Sequence, residues 1–169
     1  MTVYHGGYLP IKKPELLQGR ELKKDNDLIF VCSLIEYIAR KTLNHRDIVV
    51  KALGKERIQH IYELADVYHC ENIDKISDEL IEKSRLPTGS FNNIADCRYN
   101  VPTHWDIGKV YKRLILDICV QQDKDTIDTL IEIYQSWINR KIENFNASTY
   151  YENPAYLSAS YVEGQLLAD

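Results

Sequence analysis

The sequence predicts an all-α protein, a helical bundle of about five or six core helices with a short extended N-terminal arm. Apolar residues recur at helical spacing over most of the chain from residue 25 onward, as in the stretch 28–38. Turn-forming residues separate these stretches, and no convincing strand pattern follows Arg20. At 169 residues the chain is long enough to bury a core without disulfides or a structural metal.

The first four predicted helices follow one another closely. The first begins near Asp27, where the preceding Asp-Asn pair can accept orphan backbone N–H groups, and its broad apolar stripe places it centrally in the core. The run 44–47, Asn-His-Arg-Asp, is close to a capping box and starts a short second helix that Gly54 ends. Apolar stripes then predict a third helix over 58–65 and a fourth over 73–81.

A segment rich in Pro, Gly and Asn separates these helices from the rest. It spans 85–102, and a connection of this length in a compact domain is usually functional or held by packing. We expect Phe91, Ile94 and Tyr99 to hold it against the core. Thr103, with an acidic residue three positions later, then predicts the start of a new helix.

The second half predicts two long antiparallel core helices and a short terminal one. The stripes cover 105–119 and 127–142, with an Asp-Lys-Asp link between them. Asn153-Pro154 is typical of an N-cap followed by proline in the first turn. We therefore divide the chain into an extended N-terminal arm over 1–24, a helical bundle domain over 25–148 and a C-terminal helical tail over 149–169.

Composition narrows the functional class. The net charge is −4, which does not favour a general binder of the nucleic-acid backbone. The four cysteines are far apart and form no CxxC pair, as expected of reduced thiols in a cytoplasmic protein. The N-terminus lacks the hydrophobic region of a signal peptide, and no apolar stretch approaches the roughly 18 residues that a membrane span needs.

A few histidines and cysteines have side chains that could bind zinc or act as a nucleophile. His69, Cys70, Cys97 and His104 are all side chains that zinc accepts, but His69 and Cys70 are adjacent, which is poor geometry for two ligands of one ion. Cys97 beside Arg98 is the candidate nucleophile, because a positive neighbour lowers a thiol pKa. We expect polar surface histidines and buried thiols instead, and predict no metal site, no cofactor and no catalytic residue.

The N-terminal arm carries the first of two family resemblances. Tyr4-His5-Gly6, followed by Ile11-Lys12-Lys13-Pro14, resembles the opening of a bacterial ADP-ribosyltransferase-like family of unknown function. The resemblance implies that His5 hydrogen-bonds the ribose of NAD and that Gly6 lets the backbone approach the cofactor. It covers only about residues 2–20, and the family's later strands and catalytic Glu have no counterpart here. The segment is then a surface tail, an edge strand or a docking segment that completes a partner's sheet.

The helical region carries the second resemblance. The stretches 27–29, 36–40, 60–70 and 151–154 resemble small uncharacterised helical bacterial proteins associated with loci that encode such transferase-like proteins. This resemblance implies a toxin–antitoxin-like or accessory setting. A chain with both parts would be a fusion of an incomplete transferase start with the helical body.

The prediction that follows is a non-catalytic protein-interaction module in the cytoplasm. Its partner is an ADP-ribosyltransferase-like protein, for which it is antitoxin-like or accessory, or a second copy of the chain. Twelve tyrosines against three phenylalanines suit half-buried positions and interfaces. The predicted partner contacts are Tyr4, Tyr8, Tyr151, Tyr156 and Tyr161.

Two other functional classes stay open from the sequence. One is an NAD-using enzyme related to the ADP-ribosyltransferases, acting through His5. The other is a DNA-binding regulator, since the two short helices around Gly54 are similar to a helix-turn-helix. In that case the recognition helix would carry Lys55, Arg57, Gln59 and His60, although acidic neighbours weaken this interpretation.

Overall fold

A computed structural model describes the backbone of residues 15–168 and the side chains of residues 22–168. These residues form helices and connecting segments only, which confirms the predicted all-α class. The helices are α1 Glu15–Thr42, α2 Arg46–Leu53, α3 Lys55–Glu63, α4 Ala65–His69, α5 Ile73–Ser84, α6 His104–Gln122, α7 Thr126–Tyr134, α8 Trp137–Ile142 and α9 Pro154–Glu163, with a 3₁₀ turn at Thr149–Tyr151. None of the described helices is long and apolar enough to cross a membrane.

Helix α1 is the centre of the bundle. It packs most extensively against α6 and also contacts α2, α3, α4 and α5. Its buried side chains lie around much of its circumference, as expected of a helix surrounded by others. Gly108 of α6 lies so close to α1 that a Cβ atom there would meet the Ser33 hydroxyl and, at 2.9 Å, the Ile29 carbonyl oxygen. The absence of a side chain at Gly108 therefore permits the close approach of the two main helices.

The start of the first helix differs from the prediction. Helix α1 begins at Glu15 and continues through the Asp-Asn pair that we expected to cap it near Asp27. The Asp27 carboxylate instead accepts a hydrogen bond from Lys23, one turn earlier, at 3.0 Å. This i, i+4 pair supports helix across the predicted boundary. Residues 15–24 of the predicted arm are therefore helical, and residues 1–14 lie outside the described part of the chain.

Helix α2 has the predicted end but a different start. Gly54 follows it with a φ of 79°, a conformation that glycine adopts without strain. The N-cap residue is His45, and its side chain forms no capping hydrogen bond. Asn44, the expected cap, donates to the carbonyl oxygen of Pro87 at 2.8 Å instead. A carboxylate from a distant helix, that of Glu143, accepts the first backbone N–H of α2, so the predicted capping box was wrong.

Two predicted helices are each divided into two. The third is interrupted at Leu64, between α3 and α4, and the last core helix is interrupted between α7 and α8. At the second break, the Ser136 hydroxyl donates to the carbonyl oxygen of Ile133 at 2.7 Å. A serine side chain that bonds the backbone in this way competes with the helical pattern. An apolar stripe alone does not reveal such a break, because both pieces face the same core.

The segment 85–102 is held against the bundle largely as predicted. The backbone N–H of Gly89 donates to the carbonyl oxygen of Thr42, the last residue of α1, and that of Phe91 donates to the carbonyl oxygen of Leu43, both at 2.8 Å. The ring of Phe91 stacks on His45, with 3.8 Å between ring centroids, and Ile94 packs against the core. Tyr99 is 65% exposed, so the expectation that it holds the segment was wrong. The buried Asn93 does so instead, as described below.

The predicted helix starts in the second half are confirmed. Thr103 and Asp106 form a complete capping box at the start of α6. Asn153 accepts the backbone N–H of Ala155, with Pro154 at the first position of α9. The apolar side of α9 packs on α6, where Leu157 is buried, so the C-terminal helix is docked on the bundle.

Candidate functional site

Four buried polar side chains from distant parts of the chain meet at one end of the bundle. We call Glu36, Arg46, Asn93 and Glu143 the buried polar junction, since none of them exceeds 6% exposure. The Arg46 guanidinium donates to both oxygens of Glu36, at 2.8 and 2.5 Å, and to the side-chain oxygen of Asn93 at 3.2 Å. The Asn93 amide donates to the backbone carbonyl of Glu143 at 2.9 Å. The junction thus ties together α1, α2, the segment 85–102 and the end of α8.

The charges of the junction are balanced with the help of Arg40, which pairs with Glu36 from beside it. Burial disfavours the charged form of Glu36, but the guanidinium groups of Arg46 and Arg40 outweigh this cost and hold its pKa below the ordinary value. Arg40 donates to Glu36 at 2.7 Å and to the carbonyl oxygen of Pro102 at 2.7 Å. Burial opposes the charge on Arg46 too, while Glu36 and Glu143 raise its pKa. Because protein groups occupy these donors and acceptors, the junction is suited to holding helices together and not to binding a substrate.

A cleft of about 330 Å³ opens beside the junction. The His45 ring forms part of its wall, and its Nδ1 atom lies 2.5 Å from a carboxylate oxygen of the buried Glu143. The Phe91 ring covers one face of the imidazole. A carboxylate on one ring nitrogen fixes the orientation and tautomer of a histidine. The arrangement can therefore hold a proton or a ligand at a defined position.

A second depression, of about 580 Å³, is lined by the end of the segment 85–102. We call it the tyrosine groove; it runs between residues 100–102, the first half of α6 and residues 150–157. Its exposed apolar side chains are Tyr151, which is 68% exposed, and Val101, which is 38% exposed. Tyrosine with a wet hydroxyl and an exposed ring is enriched at protein interfaces.

The acids of the tyrosine groove form hydrogen bonds with neighbouring residues, whereas its cations form no close ion pair among the described residues. Asp106 is bound in the capping box, where the backbone N–H of Thr103 holds the pKa of its carboxyl below the ordinary value. Glu152 accepts a hydrogen bond from Ser148 at 3.1 Å. Among the described residues, Lys109 and Arg113 have no ion-pair partner, and they lie one helical turn apart on α6. The groove thus presents two cations without a close ion pair beside exposed apolar side chains, although the charge of Lys109 also acts on Asp106.

The predicted partner contacts are placed in part. Tyr151 lies in the tyrosine groove. Tyr156 and Tyr161 are half-buried and pack against the core, and the Tyr156 hydroxyl donates to the carbonyl oxygen of Leu167 at 2.9 Å. Tyr4 and Tyr8 lie outside the described residues, as do the predicted NAD contacts His5 and Gly6.

The fold does not bring the candidate zinc ligands of the sequence together in one site. His69 and His104 each pack against Trp105, with ring centroids 5.8 and 4.8 Å apart, and the Cys97 thiol donates to the carbonyl oxygen of Tyr99. Burial, with the charge of Arg40, lowers the pKa of His104. In the described part of the chain, a different group, His45, Asp47 and Glu143, has the spacing that a metal ion requires.

The helix that follows Gly54, α3, has no continuous basic face. Lys55 forms an ion pair with Asp128 at 2.6 Å, and Arg57 donates to the carbonyl oxygen of Leu53. The exposed acidic residues Glu56 and Glu63 lie beside them. A recognition helix needs free cations for phosphates and free side chains for base edges, so this geometry does not favour DNA binding.

No protein-family model, curated protein or solved structure matches this chain. What the protein does must therefore be argued from the geometry and chemistry of these surfaces.

Proposed function

We propose that this chain is a non-catalytic protein-interaction module whose tyrosine groove binds an acidic segment of a partner protein. The observation that carries the proposal is the pairing of exposed Tyr151 and Val101 with the cations Lys109 and Arg113. An apolar anchor of the partner would lie against the tyrosine ring, and its carboxylates would pair with the two cations. Aromatic and arginine side chains contribute most of the binding energy in many interfaces.

The charge of the whole chain supports an acidic partner at this groove in particular. The protein carries a net charge of −4, so an acidic segment is repelled from most of its surface. Lys109 and Arg113 offset this repulsion at the groove, where the acids Asp106 and Glu152 accept hydrogen bonds from Thr103 and Ser148. Such complementarity directs a partner to one place and sets its rate of association more than its final affinity.

The partner that the sequence resemblances suggest is an ADP-ribosyltransferase-like protein encoded in the same locus. In this proposal the chain acts in the cytoplasm, antitoxin-like or as an accessory subunit. The residues before α1, including Tyr4 and Tyr8, would be a second contact. An acidic stretch on the partner would bind the groove independently of them.

The test measures the affinity of the purified full chain for that transferase-like protein by calorimetry. We expect Tyr151→Ala to weaken binding by about 2 kcal/mol, or roughly 30-fold. Arg113→Glu should slow association and reduce the dependence of the affinity on salt. Lys51→Glu is the matched control, since Lys51 is an exposed cation on α2 outside the groove.

The results of these measurements distinguish binding at the tyrosine groove from binding through general charge or through the segment before α1. Equal losses for Arg113→Glu and Lys51→Glu would mean that general charge, not the groove, governs binding. Unchanged binding of Tyr151→Ala would exclude the groove. Loss of binding only on deletion of residues 1–14 would place the contact on the segment before α1. A chain that self-associates through Tyr151 would have a second copy as the occupant of the groove.

A further inference from the structure

Three side chains with metal-binding atoms meet where α2 begins beside the end of α8. One ligand atom from each of His45, Asp47 and Glu143 lies within 4.8 Å of the others. His45 and Glu143 lie 98 positions apart along the chain, and the fold alone brings them together. The His45 Nδ1 atom and the Glu143 carboxylate are already in contact at 2.5 Å.

One atom of this group lacks a partner. The Oδ1 atom of Asp47 is buried and accepts no hydrogen bond in the described part of the chain. The other oxygen of the same carboxylate pairs with Arg140 at 3.1 Å, so Oδ1 is the oxygen left free to accept a water molecule or to bind an ion. This observation is independent of the spacing of the three residues.

We propose that His45, Asp47 and Glu143 form a binding site for a divalent transition-metal ion of the Zn²⁺ class. One imidazole nitrogen and two carboxylate oxygens are a donor set that suits zinc, whereas Mg²⁺ and Ca²⁺ prefer oxygen ligands alone. Three protein ligands leave a coordination position for water, as in zinc sites that remain open to ligands. The site is separate from the tyrosine groove and does not depend on the proposed function.

The surroundings hold the three ligands in place. The second oxygen of Glu143 accepts the backbone N–H of Arg46 at 3.1 Å, which leaves the first oxygen directed at His45. The Phe91 ring fixes the plane of the imidazole. Partners of this kind orient metal ligands and affect metal affinity strongly. The 330 Å³ cleft, whose wall includes His45 and Glu143, gives an ion a route from solvent.

Arg140 is the competitor of the ion. Its guanidinium lies 3.1 Å from the Asp47 carboxylate and 3.7 Å from that of Glu143, and it is half-exposed. In the metal-free protein this cation balances the two acids. An entering ion takes over that role, and the Arg140 side chain can move into solvent. The first turn of α2 carries a partial positive charge, which stabilises carboxylates and repels a cation. The two carboxylates must therefore supply the net attraction for the ion.

The test titrates the chelator-treated full chain with Zn²⁺ by calorimetry and with Co²⁺ by visible absorption. We expect one ion per chain. Asp47→Asn should lower the affinity by about 10-fold or more, while Arg140→Gln should raise it because the competing cation is gone. His60→Ala is the control, since His60 is an exposed histidine on α3 and is not one of the three grouped residues. Circular dichroism verifies that each variant is folded.

Two results would overturn the proposal. The first is the absence of saturable binding at about 100 μM metal, well above the dissociation constants of ordinary protein zinc sites. The second is binding that Asp47→Asn leaves unchanged, or that His60→Ala abolishes, since the ion would then lie elsewhere.

Discussion

The α1–α6 interface and the buried polar junction both hold helix α1 in place, but they do so by different physical means. At the interface, apolar side chains such as Leu34 and Ile115 are fully buried, and Gly108 allows the helix backbones to approach. At the junction, Glu36 and Arg46 are equally buried but charged. An apolar surface tolerates many combinations of side chains that fill the space. A buried ion pair tolerates few changes, because each partner needs the other.

The contrast with exposed ion pairs sharpens this point. Lys124 and Glu132 lie 3.0 Å apart, but their side chains are 41% and 47% exposed to water. Water replaces a lost partner there, and such pairs contribute little to stability. Depth of burial, and not the presence of a salt bridge, decides what the Glu36–Arg46 pair does for the fold.

The strongest test removes one charge from the junction. Glu36→Gln keeps the shape of the side chain but leaves the Arg46 guanidinium buried without its counter-charge. We expect the free energy of unfolding to fall by about 3–5 kcal/mol, the usual cost of breaking a buried pair. Urea denaturation measures the change. Glu132→Gln is the matched control and should have little effect; equal losses for the two variants would contradict the contrast drawn here.

The second test fills the space at the helix interface. Gly108→Ala places a methyl group against the Ser33 hydroxyl and the Ile29 carbonyl, so α1 and α6 must separate. We expect a loss of about 1–3 kcal/mol, as for other overpacked cores. Thermal unfolding of the variant and of Gln121→Ala, an exposed position on the same helix, gives the comparison. A stability equal to that of the control would show that the interface is looser than this packing implies.

The smallest effect is expected at His104, which lies where the two regions meet. Its ring contacts Tyr37 of α1 edge-on, and burial and the nearby Arg40 lower its pKa below the ordinary value of 6.5, although Glu36 and Asp106 act in the opposite direction. As the pH falls below 6.5, the unfolded chain therefore takes up this proton before the folded one does. The stability that depends on neutral His104 is complete above pH 6.5 and declines below it.

His104→Gln should remove this part of the pH dependence. The measurement compares the free energy of unfolding of the protein and the variant from pH 7.5 downward. His60→Gln, at an exposed histidine, is the control. Parallel pH profiles for the protein and for His104→Gln would contradict the expected role of His104.

Local signals in the sequence predicted much of the fold. Thr103 with Asp106, Asn153 with Pro154, and Gly54 mark helix ends as expected, because a cap acts within a few residues of itself. The start of α1 was not predicted, since a pair of good N-cap residues can also lie within a helix when Lys23 pairs with Asp27. The breaks at Leu64 and Ser136 were not predicted, since an apolar stripe continues across them.

The candidate sites were predicted far less well. Tyr151 was named as a contact, but the cations Lys109 and Arg113 beside it were not, because they join Tyr151 only when the C-terminal segment docks on α6. Glu36 within an otherwise apolar stretch was a signal for a buried charge, since a lone acid on a core face must have a partner. Nothing near Glu36 in the sequence indicates that this partner is Arg46.

The sequence by itself determined the all-α class, several helix ends and the apolar surfaces, because these depend on interactions between residues a few positions apart. Only the tertiary structure decided the polar junction, the tyrosine groove and the group of His45, Asp47 and Glu143. Each of these depends on side chains that are distant along the chain, such as His45 and Glu143, and meet only when the helices pack. Hydrogen bonds and buried ion pairs require close contact, and hydrogen bonds require defined angles, so their partners are set by the folded geometry and not by spacing in the sequence.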